Sequence, residues 1–385
     1  MNSIRTSGLF AGVALAAVVL PASLASAQTT VFIDGLSNPR GLTFQGNTLY
    51  VSESGRGGTL PAYTNGDGVA NFYGATGGVS RRAIGGAQEK YIVDLPSAAG
   101  ASGFGATGPQ DVGFDAAGRL SITIGLGANP NIRQTLPLQN QVLSSWLGTV
   151  VRQGTNGSFE APFDLAALEG INDYDGAGPD SNPFGLGIAG DVRIVADAGA
   201  NVVTAIAANG TTRSVVIPAR SNPLAPFGPP TYQAVPNGLT VGPDGDAYVT
   251  ELTGFPFPPG AANIYRIDLD AAVLSTQLVA GGFTNLIDLA FGADGTLYAL
   301  ELDANSLVVP GNAGRLLRVN ADGSSTEILG NIPSPTGLTV GPDGAWYISA
   351  NGLSPTGGQV LRYVPEPTGF AVLALGATVL LRRRK

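Results

Sequence analysis

The chain has 385 residues and a formal net charge of −8, with 56 Gly and 27 Pro but neither Cys nor His. That excludes a disulfide framework, Ser-His-Asp and Cys-His nucleophiles, and any His-based metal site. An apolar fraction of 44% with well-spread Gly and Pro points to a globular, β-rich protein rather than a disordered one.

Residues 1–27 read as a secretory signal peptide. Arg5 supplies the basic start, Leu9–Leu20 the apolar stretch, and Ala25-Ser26-Ala27 a small-residue cleavage site before Gln28. The apolar run is short for a helix that spans a bilayer. Five of the basic residues (Arg5, Arg382, Arg383, Arg384 and Lys385) lie in the terminal segments, so the middle is more acidic than the whole. Such a surface repels phosphate backbones, and no nucleic-acid partner is expected.

From Gln28 onward one unit repeats. Its clearest copy has Gly238-Leu-Thr-Val241, a turn at Pro243-Asp244-Gly245, and Ala247-Tyr-Val-Thr250 leading out to Glu251. An Asp-Gly turn between alternating apolar runs predicts a β-hairpin. Five further copies pair Arg40–Phe44 with Leu49–Glu53, Gln110–Phe114 with Leu120–Ile124, Phe184–Ile188 with Val192–Asp197, Ile287–Phe291 with Leu297–Glu301, and Thr336–Val340 with Trp346–Ala350. An all-β unit recurring every 50 residues or so is the signature of a propeller blade.

A third strand is expected at Gly78–Ile84, Leu147–Arg152, Val202–Ala207, Asn263–Ile267, Arg315–Val319 and Gln359–Tyr363. A fourth is expected at Lys90–Leu95, Arg213–Ile217, Thr276–Ala280 and Thr326–Leu329, with a poorer candidate at Ser158–Phe163 before helix-like Asp164–Glu169. The sixth unit lacks its fourth strand, and Thr30–Leu36 has that character at the front of the domain. The predicted fold is all-β: a six-bladed propeller over 28–364, closed by the mature N-terminal strand, which removes an open sheet edge.

In such a ring the connections alternate between two faces. The turns at Gln45–Thr48, Gly242–Gly245, Gly292–Gly295, Gly341–Gly344 and Ala208–Thr211 are short. The opposite face gathers the long segments Ser54–Gly77, Gly125–Trp146, Gly170–Ser181, Pro218–Val235 and Gly254–Gly260. Long loops on one end of a rigid scaffold mark the expected ligand face.

The chemistry left to that face is carboxylate, Arg, Tyr and amide chemistry. Glu53, Asp197, Glu251 and Glu301 fall at second-strand exits, and Asp111 and Asp288 at first-strand entries. Converging carboxylates would suit Ca²⁺, with Glu53, Glu251 and Glu301 as its ligands, or general acid–base work. The simpler expectation is that each accepts backbone N–H bonds at its own strand end. Arg40, Arg56 and Arg133 are cations suited to a carboxylate or phenolate ligand, unless each pairs with a neighbouring acid. Phe255 and Phe257 offer an aromatic wall or pack on their own blade. Asp173-x-Asp175-Gly176 and Asn65-x-Asp67-Gly68 match fragments of a calcium loop without completing its twelve-residue pattern, and are expected as solvated turns. Lys90, the one Lys between residues 28 and 364, sits in an outer strand and is discounted for Schiff-base chemistry.

The chain ends with Pro365-Glu366-Pro367, an apolar run Gly369–Leu381, and a basic tail. This three-part order resembles the PEP-CTERM sorting signal of Gram-negative bacteria. That resemblance implies export by the Sec-type pathway, handling by an exosortase-type processing enzyme, and a periplasmic, surface or matrix location. It also implies transient or permanent membrane anchoring through the apolar run.

The domain itself, through Ala106-Thr-Gly-Pro109, Ile124-Gly-Leu-Gly127, Asp180–Gly185, Ala196–Gly199, Glu251–Pro258 and Gly282–Phe291, resembles the ScyD/ScyE family of exported NHL-type propellers. The resemblance implies architecture and location and carries over no catalytic residue. The functional expectation is a surface-sorted propeller that binds a small-molecule or matrix ligand, or a partner, without chemistry of its own. The alternative is a Ca²⁺-dependent or carboxylate-based enzyme acting on an exported aromatic metabolite or a lactone.

Overall fold

The computed structural model describes residues 28–365 except 65–67, 137–140, 310 and 312. The expected signal peptide, Glu366, Pro367 and Asn65-x-Asp67 lie outside the described residues. Among the described residues no helix is long and apolar enough to cross a membrane.

Thr29–Val364 form one unit of six four-stranded sheets, with a fifth strand added to one of them. Blade 1 carries Pro39–Gln45, Thr48–Glu53, Ala70–Ala83 and Gln88–Gly100 from the axis outward, with Leu60–Thr64 added beside Ala70–Ala83. Blade 2 runs Pro109–Phe114, Leu120–Ile124, Thr149–Gln153 and Phe159–Asp164. Blade 3 runs Pro183–Ala189, Val192–Asp197, Val202–Ile206 and Thr212–Val216, and blade 4 Pro236–Val241, Ala247–Glu251, Ala262–Ile267 and Thr276–Phe283. Blade 5 runs Leu286–Phe291, Leu297–Glu301, Ala313–Val319 and Ser325–Pro333. Blade 6 takes Gly337–Val340, Trp346–Ala350 and Gly358–Val364 from the end of the domain and Gln28–Leu36 from its start. The ring is therefore closed as the sequence predicts, and each innermost strand touches the innermost strands of both neighbouring blades.

Small residues let these six strands meet. The ring positions are Gly41, Asp111, Gly185, Gly238, Asp288 and Gly337. A Cβ on Gly41 would lie 2.0 Å from Asp111 Oδ1, and one on Gly185 2.2 Å from the Asn237 carbonyl oxygen. Three residues before each ring position the chain turns into its blade, and Asn38, Val235, Asn285 and Ser334 all have positive φ there. Asn tolerates this backbone because its short polar side chain bonds locally. The Asn38 side chain is also fixed from a distance, donating to the Gly55 and Gly103 carbonyls at 2.7 and 2.8 Å. Between blades the apolar faces interlock; Ile33 and Leu36 of the closing strand, each 1% exposed, pack with Leu49, Val51, Tyr347 and Val360.

Two details differ from expectation. The third and fourth strands of blade 1 extend far beyond Gly78–Ile84 and Lys90–Leu95, because register shifts around Gly74–Gly77 carry the pairing through a Gly-rich stretch into Ala70–Tyr73. The short-turn face also holds one longer connection, Asp268–Ser275 of blade 4.

Candidate functional site

The carboxylates at the second-strand exits are fasteners. Glu53 accepts from Ser37 N–H at 2.9 Å, Asp197 from Asn182 N–H at 2.6 Å, and Glu301 from Thr284 N–H at 2.8 Å. Each donor is in the segment that enters the same blade, so one acid per blade locks incoming backbone to an outgoing strand. In blade 4, Glu251 accepts instead from Asn263 N–H at 3.1 Å.

Three of these acids also have an internal cation. Lys90 Nζ sits 2.6 and 2.7 Å from the two oxygens of Glu53, Arg220 lies 2.6 Å from Glu251, and Arg315 bonds Glu301. Glu53, Glu251 and Glu301 thus belong to three different blades and are not gathered into one ion-binding group; among the described residues that group is Glu169, Asp173 and Asp175. The reason is geometric, because each side chain reaches toward an outer strand of its own sheet. Burial lifts the Glu251 carboxyl to about 7 and raises that of Glu301, against the pull of their arginines.

The ring acids behave differently. Asp111 accepts from Val112 N–H at 2.7 Å and Leu186 N–H at 2.8 Å, and Asp288 from Leu289 N–H at 2.8 Å and Leu338 N–H at 2.7 Å. Burial lifts Asp288 to about 7; burial and the opposing Asp288 charge raise Asp111 well above the usual carboxylate range. With both oxygens of each engaged by backbone, neither is placed to take a proton from a substrate.

The cations part company. Arg40 is buried, and its guanidinium donates to Gln110 Oε1 at 3.1 Å, the Ala106 carbonyl at 3.0 Å and the Gly352 carbonyl. It joins blade 1 to its neighbours and is out of a ligand's reach; burial lowers its pKa to about 10. Arg133 forms a two-pronged pair with Asp164 at 3.0 and 3.1 Å, and Asp164 also caps the helix Leu165–Asn172. Arg56 remains exposed, and among the described residues no carboxylate pairs with it.

Arg56 and the Glu53–Lys90 pair line a cleft of about 340 Å³ on the long-loop face, with Ser37, Thr76 and Asp94 among the other walls. Its acids and bases balance: Glu53 and Asp94 against Lys90 and Arg56. Gly35, Gly77 and Gly78 bring backbone to its surface. Across the face, Phe255 is 47% exposed, with its ring tilted against Phe227 at 5.5 Å and edge-on to Phe257 at 6.2 Å, so the aromatic group draws on two loops. A larger hollow of about 520 Å³ opens on the other face between blades 4 and 5, beside Tyr248, Phe291, Asp294 and Arg318. There Asp294 is already spent on its own turn, accepting from Thr296 N–H.

Sequence reasoning missed the partners rather than the acids. The outer-strand position that discounts Lys90 for Schiff-base chemistry does not stop its long side chain from spanning from the fourth strand to Glu53 on the second. Arg220 arrives from the Pro-rich segment through a two-residue pairing of Arg220-Ser221 with Thr231-Tyr232, too short to leave a periodic signal.

No family model and no curated protein matches the chain. Solved structures do. A protein assigned as a gluconolactonase is 15% identical with a TM-score of 0.51, covering 90% of this chain and 94% of its own. A luciferin-regenerating enzyme is 9% identical with a TM-score of 0.53, covering 89% and 96%. A streptogramin B lyase is 14% identical with a TM-score of 0.46, covering 88% and 97%. At these identities the likeness shows the fold alone: the chain is a six-bladed β-propeller.

Proposed function

We propose that this is an exported, surface-sorted binding propeller that holds a small polar ligand of the saccharide type in the cleft over Glu53 and Lys90. The observation that carries the reading is the cleft's lining: two acids, two bases, two hydroxyls and bare glycine backbone, beside an apolar strip of Ala75, Ile92 and Val93, around about 340 Å³, a volume in the range of small-ligand sites. Charge-balanced donors and acceptors beside a short apolar strip suit a neutral saccharide, with its hydroxyls and C–H face, better than an anion. The export and PEP-CTERM-type sorting signals, and the resemblance to ScyD/ScyE, support a location outside the cytoplasm where matrix glycans are met. The enzymatic alternative draws on neighbours described as a gluconolactonase and a luciferin-regenerating enzyme. Against it, the acids best placed for catalysis are already held by internal cations or backbone.

The test is isothermal titration of the full chain with neutral oligosaccharides, alongside Arg56→Ala and Lys90→Ala. Binding lost in both variants supports the cleft. Binding of aromatic metabolites that is lost in Phe255→Ala would move the site to the aromatic rim. Turnover of a lactone would replace binding with catalysis.

A further inference from the structure

The segment between blades 2 and 3 gathers three acids apart from the cleft. Its helix, Leu165–Asn172, ends in Asp173, whose φ of 41° turns the chain left-handed. The chain then continues through Tyr174 and Asp175 to Gly176 and Gly178, both with positive φ. This tight course folds Asp173 and Asp175 back onto the last helical turn, where Glu169 stands. One carboxylate oxygen from each of the three lies within 4.8 Å of the other two. That is the span of two Ca²⁺–oxygen bonds of about 2.4 Å each.

The buried member of the trio gives the cluster its meaning. Glu169 is 1% exposed, and its Oε1 has no hydrogen-bond partner. Its Oε2 receives a single long bond, 3.4 Å from Tyr174 N–H. Buried polar atoms are nearly always satisfied, and a buried carboxylate oxygen without a donor calls for an explanation. No cation supplies one: among the described residues none of Glu169, Asp173 or Asp175 is in an ion pair, whereas Glu53, Glu251 and Glu301 each have one.

The other two acids are positioned by the loop itself. Asp173 accepts from Gly178 N–H at 3.0 Å. Asp175 accepts from Ala177 N–H at 2.9 Å and from Asn201 Nδ2 at 2.8 Å. Asn201 in turn accepts from Val235 N–H at 2.9 Å, so the loop is tied to blade 3 and to the entry of blade 4.

We propose that Glu169, Asp173 and Asp175 bind one Ca²⁺, with Glu169 Oε1 as the buried ligand. Oxygen-only donors of net charge −3, without His or Cys, select a hard cation. A glycine-rich loop on the rim suits the loose six-to-eight-fold shell of Ca²⁺ better than the rigid octahedron of Mg²⁺. The three carboxylates supply part of that shell, and backbone carbonyls and water would complete it. The expected Kd is that of extracellular Ca²⁺ modules, about 10⁻⁴ to 10⁻³ M. Ca²⁺ would then brace the rim between blades 2, 3 and 4.

The experiment uses the full chain, stripped with EDTA. Tb³⁺ is added and followed by luminescence excited through tyrosine, since Tyr174 lies between two of the ligands, and Ca²⁺ then competes. One Ca²⁺ per chain, displacing Tb³⁺, is expected. Glu169→Gln and Asp175→Asn should each weaken binding at least about tenfold, while a change at the exposed Asp270, Asp270→Asn, leaves it unchanged. Melting in EDTA separates binding from folding. Glu169→Gln should melt no lower than the native chain without Ca²⁺, and below it when Ca²⁺ is saturating. Two results overturn the proposal: no Ca²⁺-dependent change up to about 10 mM, or binding that survives both Glu169→Gln and Asp175→Asn.

Discussion

Asp111 and Asp288, three blades apart across the ring, make the same pair of bonds: each accepts the N–H of the next residue and one from the innermost strand of the following blade. Those second bonds, to Leu186 at 2.8 Å and Leu338 at 2.7 Å, occur where adjacent blades expose unpaired strand edges to each other. A carboxylate with two acceptor oxygens bridges such an edge; an amide offers one. Asp288→Asn should therefore leave one N–H unsatisfied and cost about 1–3 kcal/mol in chemical denaturation. Gly41→Ala, whose Cβ would fall on the Asp111 carboxylate, should cost at least about as much through forced displacement. Native-like stability of both variants would mean that the axis is looser than described.

The pH dependence of stability has a definite sign. Burial lifts Asp288, Glu169 and Glu251 to about 7 and Asp197 to about 6. The folded chain therefore holds protons that the unfolded chain releases near pH 4. The resulting stabilisation is complete below the unfolded value and disappears as pH rises through the folded ones. Turn acids such as Asp244 and Asp343 lie below the usual range and act oppositely, losing their contribution only as pH falls below about 4. By calorimetry in EDTA, the Tm should be higher at about pH 5 than at about pH 8. A Tm that rises across that interval would show that the arginines and backbone N–H groups outweigh burial.

Val235 occupies the position that Asn38 and Asn285 fill in other blades, with φ of 53°. A β-branched residue is poorly suited to that conformation, and Asn adopts it readily. Val235→Asn should stabilise the protein by about 1 kcal/mol, read as a shift in denaturation midpoint at unchanged slope. A loss of stability would show that the Val side chain contributes more by packing than its backbone costs.

Ring closure is tested at Ile33. Truncating this buried side chain to Ala should cost about 2–5 kcal/mol, as for an interior position of any blade. A cost near zero, measured by urea unfolding, would mean that the first strand is only loosely attached.

The architecture was legible because each blade repeats an Asp-Gly or similar turn between alternating apolar runs, and because Val31–Leu36 has the character of a strand with no partner nearby. Structural roles at strand ends were legible too, since a repeat copies them. Individual pairings were not. Nothing in the spacing of Glu251 and Arg220 announces contact across 31 residues, and the alternation that marks strands is broken by Gly74-Ala75-Thr76-Gly77 where blade 1 extends. The Asp173–Gly176 segment shows the same limit: as a string it completes no calcium loop, and its third acid, Glu169, is supplied by the preceding helix.

The closing sheet joins Gln28–Leu36 to Gly358–Val364, so the first of the described strands waits for the last of them. Until nearly the whole domain has been made, the apolar side of the leading strand has no cover, and Gly358–Val364 finds its outer mate only in that strand. Blades 1 to 5 can each assemble from local neighbours, but Arg40 cannot reach Gly352 until the two ends meet. Final docking is therefore a long-range event, slow by nature and open to strand exchange with a second chain.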